Sequence, residues 1–157
     1  MPKIIKLLFS LLLLSLVAFF VFRWLVVRMS PRPDSLGVTN GRLTPCPDSP
    51  NCVSTFATND LHGIAPMPYG GETAVAHAAI LATLESLPRI TLITNEPTYI
   101  HAEARSATWR FIDDVEFYFD ETAGLIHFRS ASRLGYSDAG VNRARMEQIR
   151  AAYQPTP

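Results

Sequence analysis

Four short stretches of this chain carry side chains that can move protons or hold charge: His101-Ala-Glu103-Ala-Arg105, Asp113-Asp114-Val-Glu116, His127-Phe-Arg129, and the run that starts at Arg133. A histidine held against a carboxylate is the commonest acid–base pair in catalysis. Arginines beside carboxylates either keep them ionised or leave room for an anion. If Ala107 and Thr108 form a tight turn, His101 stands opposite Asp114 and Tyr99 opposite Glu116, while the next hairpin brings Glu116 near His127 or Arg129. One surface then carries two histidines, two or three carboxylates and several arginines. Read functionally, it is a polar pocket or a hydrolase-type site using His101 or His127 with Asp114 or Glu116. The plainer expectation, which the pattern favours, is a solvated face laced with cross-strand ion pairs, each worth a few tenths to about one kcal/mol. On the same register Arg105 faces Arg110, a costly like-charge pair unless an anion or carboxylate lies between them.

A second constellation follows strand-like sequence and precedes helix-like sequence: Arg133-Leu-Gly-Tyr-Ser-Asp-Ala-Gly-Val-Asn142-Arg143. The context suits a nucleophile elbow, but the spacing is G-x-S-x-x-G, one residue too long to strain Ser137 into position. Helix capping by Ser137 or Asp138 explains those residues without chemistry. Backbone donors at such a helix start, beside Arg133 and Arg143, are expected to suit a small anion, with Ser137 and Asn142 as further ligand-binding candidates. Asp113 interrupts an apolar face and needs either a bulge or an arginine to satisfy it. His77, on an apolar helical stripe, reads as a core histidine. His101-Ala-Glu103 lacks the downstream cysteine pair of a zinc deaminase. With no phosphate loop, dinucleotide fingerprint or H-E-x-x-H pattern, no cofactor and no metal are expected.

Cys46 and Cys52 are the only cysteines, set among Pro45, Pro47 and Pro50. A structural disulfide between them would pin an irregular segment, contributing about 2–3 kcal/mol on a loop-entropy model. The competing metal reading adds His62 and Asp60 to two thiolates at a spacing wider than zinc sites favour. A redox-active pair would want C-x-x-C at a helix start.

The elements that must position these groups can be read from periodicity. Thr73, His77, Ile80, Leu84 and Leu87 fall at helical spacing, with Thr73 as a possible cap and Pro88 as the stop. Strands are expected at 89–94, 99–106, 109–119 and 125–133, joined by short turns and therefore antiparallel. In the third, Trp109, Phe111, Asp113, Val115, Phe117 and Phe119 share one face, and Arg110, Ile112, Asp114, Glu116 and Tyr118 the other. A last helix from about Ala139 to Tyr153 presents Asn142, Met146, Ile149 and Tyr153 on one stripe. The expected fold is α+β, an antiparallel sheet of about four strands with helices on one face.

Ahead of this lies a different kind of sequence. Leu7 to Phe22 is apolar apart from Ser10 and Ser15, and after Arg23 the run resumes to Val27. About 20 helical residues cross a bilayer core, and no small-residue cleavage site follows. Residues 7–27 are therefore expected to be an uncleaved transmembrane anchor, 1–6 its cytoplasmic flank, 28–45 a linker and 46–157 one globular domain. From Asp34 onward there are 14 acidic residues against nine arginines and no lysine. Such a balance speaks against nucleic acid as a partner. Lys3 and Lys6 roughly balance Arg23, Arg28 and Arg32, so charge alone does not orient the anchor. The cysteine pair, which suits an oxidising compartment, places the domain on the periplasmic or extracellular side.

Several of these stretches together resemble the domain of unknown function 1499 family: Cys46-Pro-Asp-Ser-Pro-Asn-Cys52-Val-Ser, Tyr99-Ile-His-Ala-Glu-Ala-Arg-Ser106, Phe111-Ile-Asp-Asp-Val-Glu-Phe117, and Ile126-His-Phe-Arg-Ser-Ala-Ser-Arg133 running on to Arg145. The resemblance covers Cys46 to about Arg150. It implies a compact domain often found with membrane or export signals, and it implies no activity. The expected function is a membrane-anchored extracytoplasmic module that binds a protein partner or a small anionic or amphipathic ligand. The alternative is the hydrolase above. A lipid-handling cavity between sheet and last helix rests on analogy of fold alone.

Overall fold

A computed structural model describes residues 2–153. The chain opens with helix α1, Lys3–Arg28. Its 26 residues extend about 39 Å at 1.5 Å per residue, and the helix is long and apolar enough to cross a bilayer. A two-stranded hairpin follows, β1 (Val38–Thr39) and β2 (Arg42–Leu43). Its turn residues Asn40 and Gly41 both sit at positive φ, the conformation that makes Asn-Gly a hairpin signal.

The remaining elements are β3 (Cys52–Ser54), β4 (Met67–Pro68), α2 (Thr73–Ser86), β5 (Ile90–Glu96), β6 (Tyr99–Arg105), β7 (Ile112–Asp120), β8 (Leu125–Ser132) and α3 (Val141–Ala152). Six of them form one antiparallel sheet in the order β3-β8-β7-β6-β5, with β4 also on β8. The expected α+β architecture is thus present, with six strands where about four were expected. β3 and β4 share the outer edge of β8, pairing at Ser130 and at Ile126 respectively. They are three and two residues long, too short for alternation to register.

The apolar face holds the core. Val115, Phe117 and Phe119 from β7 meet Ile126 and Phe128 from β8 and Ile100 and Ala102 from β6. Ile80 and Leu84 of α2 and Met146 and Ile149 of α3 close over them. Both helices lie on this one face, because only it offers apolar area to bury. Asn142 fastens α3 at its start: fully buried, it donates to Asn51 O (3.0 Å) and Ser132 Oγ (3.0 Å) and accepts from Ser130 Oγ (2.5 Å).

Three boundaries differ from expectation for local reasons. α3 begins at Val141 and not at Ala139, because Ala139 and Gly140 both have positive φ. Asp138 still satisfies the first turn, accepting from Gly140 N (3.0 Å) and Asn142 N (2.7 Å). α2 is flanked by Glu72, and Thr73 instead bonds Tyr69 Oη (3.0 Å). β7 begins at Ile112, so the β6–β7 connection is a loop over residues 106–111 with Arg110 at positive φ. Trp109 and Phe111 accordingly fall outside the strand.

That longer loop slips the β6–β7 register by two residues. His101 stands opposite Glu116, Glu103 opposite Asp114, Tyr99 opposite Tyr118 and Arg105 opposite Ile112. The expected Arg105–Arg110 opposition does not form. Because the slip is even, every side chain keeps its face. We expect Asn142→Ala to lower unfolding stability of the full chain in detergent by about 1–3 kcal/mol, since it strands several buried groups. A shift below about 0.5 kcal/mol, typical of an unremarkable surface change, would show that α3 is held by apolar packing alone.

Candidate functional site

The polar face of the sheet is built by β6, β7 and β8, whose alternation sends His101, Glu103, Asp114, Glu116, Arg129 and, just past the strand, Arg133 to the same side. It was expected to be solvated; instead it is buried. Glu116 is 0% exposed, Asp114 and His101 2%, Glu103 5% and Arg129 8%. The cover is the segment between α1 and β3. Gly37 N donates to Glu116 Oε1 (2.8 Å), Arg133 Nη1 donates to Ser30 O (3.2 Å), and Arg32 lies 3.6 Å from Glu103. Leu43 is buried in the same layer.

Arg133 is the centre of the network. Its Nε and Nη2 grip the two oxygens of Asp114 (2.8 and 2.6 Å), and Nη2 also reaches Glu103 Oε1 (2.7 Å). Asp114 Oδ1 is shared with His101 Nε2 (2.8 Å), and the second oxygen of Glu103 accepts from Arg105 Nη2 (2.9 Å). Glu116 is held separately by Arg129 Nη1 (3.1 Å) and Tyr99 Oη (2.9 Å). The expected contacts of His101 with Asp114 and of Tyr99 with Glu116 therefore exist, made diagonally across the slipped register.

Electrostatics follow from this geometry. Burial alone would raise the Asp114 carboxyl. The hydrogen bonds of Arg133 and His101, with their charge, outweigh it and hold Asp114 below the ordinary carboxylate range. Glu103 is likewise pulled down, against burial, by Arg105 and Arg133. Tyr99 is pushed far above its usual range by burial and by the neighbouring Glu116. Ionised carboxylates so gripped are poor acceptors for a substrate proton, because taking one would break two or more charge-assisted bonds.

Other expected residues go elsewhere. His127 lies opposite Tyr118, its ring stacked on Phe56 at 4.2 Å and its Nδ1 3.1 Å from Thr55 Oγ1. Burial disfavours its protonated form, opposed by Asp120 and reinforced by Arg42. It does not join His101 or Glu116. The anion site expected over residues 135–142 is brought together only in part, with Ser137, Asp138, Gly140 and Arg143 lining one recess. Arg133 turns to the sheet, and Arg143 donates to Gly63 O (2.9 Å) and Leu61 O (3.2 Å). Asn142 is buried on the opposite face, and Ser137 Oγ accepts only from Ala139 N (3.2 Å) among the described residues. Asp113 stays on the apolar face and is reached by Arg145 Nη2 (2.6 Å), the arginine solution rather than the bulge. Cys46 and Cys52 are bonded to one another. His62 Nδ1 lies 2.8 Å from Cys52 O, which overturns the shared metal site.

Beside the network lies a recess of about 460 Å³ lined by Arg32, Gly37, Thr94, Tyr99, His101 and Tyr118, among others. Arg32 and Gly37 had no signal in the sequence, since they belong to an aperiodic stretch. Tyr99 and Tyr118 were legible as polar-face residues.

An antiparallel sheet with helices on its apolar face and its own N-terminal segment sealing an ionic face defines a small α+β domain. Residues 42–153 match the family model described as Protein of unknown function (DUF1499), and the chain belongs to that family. No curated protein matches it.

Arg133→Ala leaves Asp114 and Glu103 buried with too few partners, and we expect a loss of about 3–5 kcal/mol, read by thermal or denaturant unfolding of the full chain. In the wild type the two depressed carboxylates bind fewer protons folded than unfolded. Their contribution is complete above their unfolded values, about 3.9 for Asp and 4.3 for Glu, and is lost as pH falls through and below them. A melting temperature that rises on acidification below pH ~4 would contradict this assignment.

Proposed function

We propose that this protein is a membrane-anchored extracytoplasmic binding module that does not turn over a substrate. The observation that carries the reading is the sealed ionic face: each of Glu103, Asp114 and Glu116 is engaged by arginine and lies beneath the chain's own segment 30–43. The residues most suggestive of chemistry thus hold the domain against its anchor. α1 passes directly into that segment, so the domain is seated at a defined attitude and does not swing on a loose tether. The Cys46–Cys52 bond supports an oxidising compartment. The arginines near the anchor support an anionic or amphipathic ligand rather than a metal cation, while the net-acidic balance of the domain, 14 acidic residues against nine arginines, speaks against a nucleic acid.

One observation favours the hydrolase alternative: the His101–Asp114 pair borders the recess. Two measurements decide. A reporter active only outside the cytoplasm, fused after Pro157, is expected to be active; an inactive but expressed fusion overturns the extracytoplasmic placement. Purified full-length protein is expected to show no hydrolysis of ester or phosphoester panels above the level of His101→Gln. Turnover that this substitution abolishes, with unfolding unchanged, would replace the binding reading by the enzymatic one.

A further inference from the structure

The sheet has two unlike ends. At one, the β5–β6 and β7–β8 turns carry Glu96, Asp120 and Glu121 and no arginine. At the other, the α2–β5 connection, the end of β6, the β6–β7 loop and the β8–α3 connection carry Arg89, Arg105, Arg110 and Arg133 against one carboxylate, Asp138. This second end is the one that meets α1: Trp109 packs on Phe19 and Phe22 with ring centroids 5.5 and 5.3 Å apart. Those phenylalanines lie six to nine residues before the end of the helix at Arg28, which is about 9–14 Å along its axis. If α1 spans a bilayer, the tip of the β6–β7 loop reaches below the point where the helix emerges.

Side chains around this end suit a lipid interface. Outside α1, the exposed aromatics among the described residues are Trp109 (44%) and Tyr136 (76%). Both belong to the arginine-bearing end, and both are residue types that settle at headgroup depth. At the same end of the sheet lies a groove of about 330 Å³ formed by the α2–β5 connection, β5, β6 and α3. Its walls include Leu87, Ile90 and Val141, and its polar groups are Arg89, Arg105, Ser106, Asp113, Arg145 and Gln148. Arg145 is occupied by Asp113, Ser130 and Asn142. Arg89 meets no carboxylate within 4 Å among the described residues. Arg105 bonds Glu103 through Nη2 alone, and its Nε is buried without a partner. Glu103 is already shared with Arg133 and Arg32, so Arg105 retains positive charge for another anion.

We propose that this groove binds the phosphate of an anionic lipid headgroup, with Arg89 and Arg105 donating to it while Trp109 and Tyr136 rest at the same depth in the membrane. An apolar wall beside two guanidiniums matches an acyl chain beside a phosphate, and the groove lies at the end of the sheet where Trp109 meets α1. The inference rests on the membrane-anchored reading and deepens it by naming the ligand class.

Three measurements on the detergent-purified or reconstituted full chain test it, and the anchor itself is tested apart from them by alkaline extraction of membranes. First, native mass spectrometry with phosphatidylglycerol, phosphatidylcholine and inorganic phosphate is expected to show preferential retention of phosphatidylglycerol. Second, Arg89→Gln, which removes an exposed group outside the buried network, is expected to weaken that retention about ten-fold, the loss of one charge-assisted bond. Equal retention of both lipids, unaffected by Arg89→Gln, overturns the site. Inorganic phosphate binding as tightly as the lipid overturns the lipid source and assigns the groove to a free anion. Third, with Trp24→Phe leaving Trp109 as the sole tryptophan, brominated acyl chains are expected to quench its emission. Unquenched emission in a protein that resists alkaline extraction overturns the docking while leaving the anchor intact.

Discussion

The largest ionic cluster on the polar side of this molecule depends on where the Arg133 guanidinium points. It leaves the end of β8, binds Asp114 with two nitrogens, bridges to Glu103, and donates its remaining fork to the Ser30 carbonyl. A rigid planar donor can satisfy two carboxylates and a backbone oxygen together; a lysine ammonium in the same place would be a single point charge. Three carboxylates on one buried face would otherwise repel one another and resist desolvation. The same cation joins two strands to a segment over one hundred residues earlier in the chain.

The two faces of the sheet are therefore solved by different physics. On one, Phe117, Phe119, Phe128 and the undersides of α2 and α3 exclude water, and the driving force is non-directional. On the other, burial is tolerable only because each charge has a partner in a specific direction. Apolar packing accepts several arrangements of similar volume, whereas the ionic face accepts few. That difference makes the polar face the natural determinant of how the domain sits relative to α1. It also explains why residues that look catalytic in isolation, such as His101 beside Asp114, lie under the chain's own backbone.

The asymmetry along the strands has a separate consequence. Arginines and exposed aromatics gather where α1 meets the domain, most of the carboxylates there being paired with arginine, and the far turns carry Glu96, Asp120 and Glu121 without arginine. A net-acidic domain brought near an anionic surface would be repelled on average, yet this distribution offers the surface its basic end. The polarity and the sealed face act together: one sets the attitude of the domain, and the other determines which side chains that attitude presents.

Much of this was legible in the amino-acid order. Alternation along residues 99–105, 112–120 and 125–132 reveals which side chains share a face, because the pleat has a period of two whatever surrounds it. The uninterrupted apolar run reveals α1, and the family motifs reveal the domain. The β1–β2 hairpin, by contrast, lies inside the stretch expected to be a linker, because two-residue strands give no alternation to read. What the order of residues could not determine was register, burial and the partners of each charge. The β6–β7 pairing turns on a six-residue loop closed by Ser106 and Phe111 and on the conformation of Arg110, and no periodic signal counts such residues. Whether His101, Glu103, Asp114 and Glu116 face water or protein was decided by an aperiodic segment folding back over them. Its contribution comes from backbone groups of Ser30 and Gly37 with the side chains of Arg32 and Leu43 beside them, and only tertiary structure determines where those groups lie.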